Sequence, residues 1–462
     1  MSDLPEESLK NALLNLKCHF TWTVDMEAVA DIDNIEDGLH HQIAFLPSIP
    51  RHRLHNLLSY TNYLKGDNEE AIRQLQEAEQ HLQGTQSVDI KRAVTYSNYA
   101  WLYYHLNQFS NAQSYLERVE AIYNNYDSSP EHDILLTEIY GERAWALLTF
   151  YGKNCERAKE WFEKALELDP HNPELNSGYA TVMYRLENQD NRFYANNNCE
   201  CLELLKRAVT LNENDSVIKA LLALKYHYLG RGEEGETIME EALRQTPDSP
   251  DLIRHAAKFY RREGKIDYAI TILKKALEKT PTSCHLHYEI GLCYEQKMNM
   301  FVSLATSHFE KVLQYKKRFV DAYIHLAKMY VKQNQFKKAE DTFQKGLNLE
   351  NLTCEDKQEI HYHYAVFKQY QCGSESEAIS HYKEVLMIPN KTSVRSKSKN
   401  KLEQLAKRRQ DSSDATGFGL LGFIHQQEGE ISQAIDYYER ALELDPDNEE
   451  YMSALHYMRL NE

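Results

Sequence analysis

The stretch that decides the fold is residues 249–281, SPDLIRHAAKFYRREGKIDYAITILKKALEKTP. Its charged and apolar residues alternate with a helical period on both sides of a tight turn at residues 263–265. Ala269, Leu273 and Ala276 follow one another at spacings of four and three, so they share one face of the second helix. The stretch therefore predicts two helices that form a hairpin.

The same pattern recurs along most of the chain at intervals close to 34 residues, which is typical of the tetratricopeptide repeat. Pro281 ends the unit quoted above, as Pro170 and Pro446 end two others. About ten helical pairs are predicted, at 52–82, 93–123, 137–170, 173–210, 216–246, 250–281, 284–315, 320–350, 356–388 and 417–446. Since no segment alternates with period two over a useful length, the sequence predicts an all-α superhelix of repeats, an α-solenoid.

The repeats divide the chain into four predicted regions. Residues 1–50 form an N-terminal helical cap segment, with an acidic bend at 31–37 before a second helix at 38–46. Residues 51–247 form the N-terminal repeats, and 248–390 the central repeats. Residues 391–462 form a basic helix and the C-terminal repeat. An Asn-rich insertion at 188–198 interrupts the fourth pair.

Composition limits the possible functions. The net charge is −17, so a polyanion such as RNA would need a local basic enclosure. The eight cysteines form no CxxC pair and no spacing typical of a zinc site, which favours structural thiols in a reducing compartment. The acidic start lacks the apolar region of a secretory signal, and no apolar run is long enough to span a membrane. We therefore expect no metal site, and a fold that is insensitive to chelation.

Two basic stretches stand out against this acidic background. Arg254, Lys258 and Arg261 lie at i, i+4 and i+7 and share one stripe of a first helix. Pairing with acids of neighbouring repeats is the alternative interpretation of this stripe. Residues 391–409 carry eight cations against one acid, Glu403. This run is either a solvated basic helix and linker or a positively charged mouth for a polyanion.

Several motifs resemble the interferon-induced proteins with tetratricopeptide repeats, and the resemblance covers nearly the whole chain. The most specific are CHFTW at 18–22, SNYAWLYYH at 97–105, AAKFYRR at 256–262 and GLCY at 291–294. The stretch IHYHY at 360–364 most resembles the fifth human member. The resemblance implies an antiviral protein whose coil closes around a central basic cavity that holds the 5′ end of single-stranded RNA, either triphosphorylated or capped.

The resemblance also implies which residues contact RNA. The candidates lie on first helices of the repeats and on the N-terminal segment. Trp145, on a first helix, occupies the position that stacks the guanine of a cap in cap-binding relatives. They are Gln42, Trp145, Arg185, Arg254, His255, Lys258, Arg261, His287 and Glu289. Other family members or host proteins are expected as further partners, and the membrane is not.

Departures from the family pattern keep a second function open. Thr149 stands where a lysine is expected, His255 where a tyrosine is expected and Glu289 where a glutamine is usual. These changes predict weaker or pH-dependent phosphate binding. The missing lysine and the net charge of −17 favour the alternative, a tetratricopeptide adaptor that binds protein without RNA.

The sequence offers little support for catalysis. No GxSxG, HExxH, P-loop or Rossmann motif is present, and His361 and His363 fall on different faces of a helix, which argues against chelation by that pair. We expect no catalytic residues, no enzymatic activity and no cofactor. The thiol usage and the missing signal together favour a cytoplasmic location.

Overall fold

The computed structural model of the chain describes residues 5–22, 32–45, 50–84, 88–126, 129, 131–150, 154–189, 199–297, 299–350, 352–410 and 414–460. Within those ranges every regular element is helical, with a short 3-10 helix at Asn299–Phe301. The α-helices are α1 Glu6–Leu13, α2 Ile32–Phe45, α3 Arg51–Lys65, α4 Asn68–Leu82, α5 Val88–His105, α6 Phe109–Tyr126, α7 His132–Thr149, α8 Asn154–Leu168, α9 Pro173–Gln189, α10 Cys199–Leu211, α11 Ser216–Tyr228, α12 Gly232–Gln245, α13 Pro250–Arg262, α14 Ile266–Lys279, α15 Cys284–Gln296, α16 Val302–Tyr315, α17 Val320–Lys332, α18 Phe336–Leu347, α19 Cys354–Tyr370, α20 Glu375–Met387, α21 Ser393–Gln410, α22 Ala415–Glu428, α23 Ile431–Leu444 and α24 Glu449–Leu460.

All ten predicted units are present as pairs of consecutive helices, from α3 with α4 to α22 with α23. In the pairs that lie within one compact unit, the two helices pack against each other through the small and large apolar residues that defined the repeat in the sequence. The prediction of an all-α repeat protein is therefore confirmed. The chain divides into two compact units, Met1–Ile290 and Gly291–Glu462, and the four predicted regions remain a prediction.

The hairpin at 249–281 has the predicted form. Ser249 caps α13 by accepting a hydrogen bond from the backbone N–H of Leu252, which satisfies one of the free donors at the helix start. Gly264 has a φ of +78°, a left-handed conformation that glycine adopts without a steric penalty. The N–H of Lys265 then donates to the carbonyl of Tyr260 at 2.8 Å, and α14 starts at the next residue. This turn orients the two helices of the repeat.

The N-terminal segment differs from the prediction in one respect. The residues described between 32 and 37 belong to α2 and not to an acidic bend. Ile32, Ile35, Leu39 and Ile43 form an apolar stripe that packs into the core of the first unit, and the neighbouring acids then fall in the first turns, where the helix dipole favours negative charge. Asp31 and most of the 188–198 insertion lie outside the described residues.

No helix in the described parts of the chain is long and apolar enough to cross a membrane.

Candidate functional site: a basic helix face and a narrow cavity

The first helix of the sixth repeat separates its apolar and basic residues clearly. Its buried face consists of Leu252, Ile253, Ala256, Ala257, Phe259 and Tyr260. Arg254, Lys258 and Arg261 lie on the other side and remain partly exposed. The two arginines are seven residues apart, about 10 Å along the axis. Packing of the apolar face therefore fixes three cations along one line.

The arginines of this face have weak ion-pair partners. Nη2 of Arg254 is 3.7 Å from Oδ1 of Asp251, and Nη2 of Arg261 is 3.5 Å from Oε2 of Glu289 on α15. Both distances exceed the 2.7–2.9 Å that is usual for a charge-assisted hydrogen bond. The Nε of Arg261 is buried and has no hydrogen-bond partner in the part of the chain that the structure describes. Both arginines thus pair with acids, but the contacts are long and leave Nε of Arg261 available to a ligand.

Burial and mutual repulsion alter the protonation of the neighbouring groups. Burial, together with Arg262, Arg254 and Arg261, lowers the pKa of Lys258 to about 8, although Glu289 opposes the shift. Burial also lowers the pKa of His255 well below its usual value, and the charges of Arg254, Lys258 and Arg185 add to the effect. Burial is the main cause of both pKa shifts, and the neighbouring cations add to it, so the charges on this face act on one another.

Arg185 connects this cluster to the end of α7. Its Nη1 donates a hydrogen bond of 2.7 Å to the carbonyl of Leu148, near the C-terminus of that helix. Its charge also acts on His255 of α13, where it adds to the lowering of the pKa. The structure thus brings together Arg185, Arg254, His255, Lys258, Arg261 and Glu289.

Gln42 and Trp145 belong to a second feature, a narrow cavity in the first unit. Thr149 lies on the same wall, and the remaining lining residues are His19, Arg53, Leu54, Leu57, Glu142 and Ala146. The room inside is about 20 Å³, enough for one water molecule and too small for a nucleobase. The ring of Trp145 packs edge-on against Phe162 at 5.5 Å between centroids. A base could stack on Trp145 only if the wall opened.

A buried cluster of charges lies beside this cavity. Arg53 bridges two carboxylates: its Nη2 is 2.9 Å from Oε1 of Glu138, and its Nη1 pairs with Glu174. Burial acts to raise the pKa of Glu138, but Arg53 and His52 outweigh it and hold this pKa below the usual value. Burial raises the pKa of Glu142 to about 8, even though Arg53 and Asn56 oppose the shift. Sequence reasoning missed this cluster because single acids carry no signal in a chain with 70 Asp and Glu.

The side chain of His287 forms a hydrogen bond with the turn that precedes its own helix. The imidazole is buried, and its Nε2 donates a hydrogen bond of 3.0 Å to the carbonyl of Pro281. That bond holds the start of α15 against the preceding turn. The sequence-based assignment of His287 to the RNA site stays a prediction.

The cationic run at 391–409 lies mostly on α21, which packs between α20 and α22 in the second unit. Several of its cations have partners there. Arg395 and Lys399 both contact Glu428, Arg408 and Arg409 both contact Glu375, and Lys401 donates to the hydroxyl of Tyr370 at 2.9 Å. The helix is therefore an integral part of the repeat stack and not a solvated linker.

Helical hairpins of about 34 residues, packed through recurring small and large apolar positions, define a tetratricopeptide-repeat protein. Models of the tetratricopeptide repeat match residues 93–126, 153–172, 320–351 and 415–448. Human IFIT1 homolog B is 41% identical over 95% of this chain and 97% of its own length. The human antiviral innate immune response effector IFIT1 is 39% identical over 96% of this chain and 97% of its own length. The chain therefore belongs to the family of interferon-induced proteins with tetratricopeptide repeats.

Solved structures of human IFIT1 are also similar to this chain. A dimer with m7Gppp-AAAA has a TM-score of 0.79 at 40% identity and covers 95% of this chain and all of its own. A dimer with PPP-AAAA has a TM-score of 0.76 at the same identity and coverage. The resemblance to the family is confirmed, while the particular similarity to the fifth human member remains untested.

Proposed function

We propose that this protein is an antiviral effector of innate immunity that binds the 5′ end of single-stranded RNA without reading its sequence. The 5′ end carries a triphosphate or a cap. The observation that supports this proposal most directly is the cation cluster of Arg185, Arg254, Lys258 and Arg261. Its two α13 arginines have only long contacts with acids, and Nε of Arg261 has no hydrogen-bond partner among the described residues, in a chain whose net charge is −17.

Phosphate is the group that best fits this cluster. Guanidinium groups present several donors in a fixed geometry that matches phosphate oxygens. The two arginines of α13 span about 10 Å, the length of a triphosphate or of the first two phosphates of a strand. A phosphate would also stabilise the charged form of Lys258, which burial destabilises.

The family context supports the same ligand. Human IFIT1, whose structures with triphosphate and capped RNA resemble this chain at TM-scores of 0.76 and 0.79, is itself named an antiviral effector. Trp145 and Gln42 line a cavity into which a cap base could enter after the wall opens. Thr149 stands in that wall where a lysine is expected, so the site has one cation fewer. The affinity for a triphosphate end therefore exceeds that for a hydroxyl end by less.

The protein acts by binding and not by catalysis, and it acts in the cytoplasm. The seven cysteine side chains described, from Cys18 to Cys372, form no disulfide, which is consistent with a reducing compartment. Exposed Met452, Tyr457 and Leu460 on α24 offer an apolar surface to a second family member, since the IFIT1 structures named above are dimers.

One titration tests the proposed function. A short RNA of fixed sequence is prepared with triphosphate, monophosphate, hydroxyl and capped 5′ ends, and its binding is measured for the parent protein and for Arg254→Ala. We expect the variant to lose about 1.5–3 kcal/mol of binding free energy for phosphorylated ends. The melting temperature should stay unchanged, because the buried face of α13 is intact.

Lys275→Ala is the matched control. Lys275 is an exposed cation on α14, the other helix of the same repeat, and its removal changes the net charge by the same amount. Equal RNA affinity of Arg254→Ala and the parent protein would leave only the protein-binding adaptor function standing.

A further inference from the structure

The buried cluster beside the cavity contains more carboxylates than its cations can neutralise. Glu138, Glu142 and Glu174 surround a single guanidinium, that of Arg53. A buried carboxylate is costly unless a cation or hydrogen-bond donors face its oxygens. A divalent cation among these acids would supply such a partner.

Three side chains of this cluster converge as metal ligands would. His52, Glu138 and Glu142 each offer one ligand atom, and these atoms all lie within 4.8 Å of one another. His52 is 5% exposed and Glu142 only 1% exposed. One imidazole nitrogen and two carboxylates are ligands that Zn²⁺ and Mn²⁺ accept.

The orientation of Glu142 indicates a missing partner. Its Oε1 accepts a hydrogen bond of 2.8 Å from Nδ2 of Asn56, which fixes the carboxylate. Its Oε2 is buried and has no hydrogen-bond partner among the described residues. An unsatisfied carboxylate oxygen in the interior is costly, and a cation would satisfy it.

The surrounding residues resemble the outer shell of a metal site. Arg53 donates from Nε to Oε1 of Glu138 at 3.1 Å and from Nη2 to the same atom at 2.9 Å. The second oxygen of Glu138 can therefore face an ion. Nε2 of His52 lies 3.3 Å from Oε1 of Glu138 and can ligate when the ring carries its proton on Nδ1. Groups that orient the ligands in this way are a regular feature of metal sites.

An entry path is also present. Arg53 and Glu142 line the narrow cavity that contains Trp145. Glu142 thus links this cavity to the other two ligands, and a water molecule could fill the remaining coordination position.

We propose that His52, Glu138 and Glu142 bind one divalent transition-metal ion of the Mn²⁺ or Zn²⁺ class. The sequence predicted no metal site because the ligands come from α3 and α7, which are more than 80 residues apart, with no ligand-spacing motif. The ion occupies a core that is already folded around Arg53, so chelation removes the ion without unfolding the helices. The site does not depend on the proposed RNA binding.

The test measures metal uptake in the absence of RNA. Mn²⁺ is the probe because free cysteines prefer softer ions, and its binding is followed by the loss of the free-ion signal in electron paramagnetic resonance. We expect one Mn²⁺ per chain, displaced by Zn²⁺ and not by Mg²⁺. All proteins in the series carry His361→Gln, since the Nδ1 atoms of His361 and His381 lie 3.0 Å apart and could hold an ion themselves.

Glu142→Gln keeps the size of the side chain and its contact with Asn56 but removes the charged ligand. It should weaken Mn²⁺ binding at least tenfold. The matched control is Glu174→Gln, which removes a carboxylate from the same cluster without removing a ligand, and it should have a clearly smaller effect. Circular dichroism checks that both variants are folded. Absence of stoichiometric Mn²⁺ uptake, or equal affinities for the two variants, would overturn the proposal and leave an arginine-centred network of ion pairs.

Discussion

At the scale of single residues, Lys258 should make RNA binding depend on pH. Its pKa is lowered to about 8, by burial first and then by the neighbouring arginines. The ammonium charge is therefore present below about pH 8 and is lost as the pH rises through that value. We expect affinity for triphosphate RNA to decrease from pH 7 to pH 9, by up to about tenfold. Titrations across that range measure the effect.

Lys258→Arg is the control for this dependence, because arginine keeps its charge at every pH of the series. Its affinity should stay nearly constant between pH 7 and pH 9. Parallel pH profiles for the two proteins would mean that Lys258 does not face the phosphates.

Thr149 offers a gain-of-function test in the wall of the narrow cavity. Its hydroxyl donates to the carbonyl of Trp145 at 2.9 Å, so the side chain now serves its own helix. Thr149→Lys should add a cation and tighten triphosphate RNA by about 1.5–3 kcal/mol, while hydroxyl-ended RNA changes little. Thr149→Met, of similar length and without charge, is the comparison. If the affinity for both 5′ ends increased equally, the new charge would not contact the terminal phosphates.

The residues of the candidate site could be predicted to different degrees. The stripe of Arg254, Lys258 and Arg261 is visible in the sequence because helical periodicity alone puts the three on one face. The bond from His287 to Pro281 was not predictable, since the direction of a ring depends on the local turn and on packing. The approach of His52 to Glu138 and Glu142 depends on tertiary contacts between distant helices and has no local signal.

At the scale of helices, the close approach of α9 to α7 and α8 depends on Gly178. A Cβ at this position would overlap the ring of Phe162 and lie 3.0 Å from Cζ2 of Trp145. Gly178→Ala should therefore destabilise the first unit by about 1–3 kcal/mol, although alanine is the better helix former. It should also displace Trp145 and weaken capped RNA more than hydroxyl-ended RNA. Thermal unfolding and the two RNA titrations measure these effects.

Gly38 is the matched control within α2. No atom lies within 4 Å of a Cβ built there, so Gly38→Ala should stabilise the protein by about 0.5–1 kcal/mol through helix propensity alone. If the two substitutions changed stability in the same direction, the close contact at Gly178 would not be the reason for the glycine.

The helices themselves followed closely from the sequence. Periodicity predicted all ten pairs to within a few residues, because each repeat buries the same small and large positions. The predicted start of α2 was wrong because the acids suggested a bend. The apolar stripe from Ile32 to Ile43 makes these residues helical instead. The role of α21 was left open because a count of charges does not reveal which cations pair with Glu428 or Glu375.

At the scale of the whole molecule, a net charge of −17 and an RNA ligand are compatible only if attraction is local. The salt dependence of binding tests this, because the slope of log K against log salt is about −0.7 for each phosphate neutralised on a single strand. We expect the double variant Arg254→Gln/Arg261→Gln to flatten the slope by about 1.4. If these arginines face the terminal phosphates as proposed, the double variant should weaken triphosphate RNA more than hydroxyl-ended RNA.

Neutralising the lysines of α21 should affect RNA binding differently from replacing the two arginines of α13. Lys399 is 3.2 Å from Glu428 and Lys401 is 2.9 Å from the hydroxyl of Tyr370, but such exposed contacts contribute little stability and can be exchanged for phosphate contacts. The triple variant Lys397→Gln/Lys399→Gln/Lys401→Gln should flatten the slope by up to about 2 and weaken all 5′ ends equally, since the backbone of the RNA is the same in each. An unchanged slope would mean that α21 does not touch RNA and that its cations serve only the packing of the second unit.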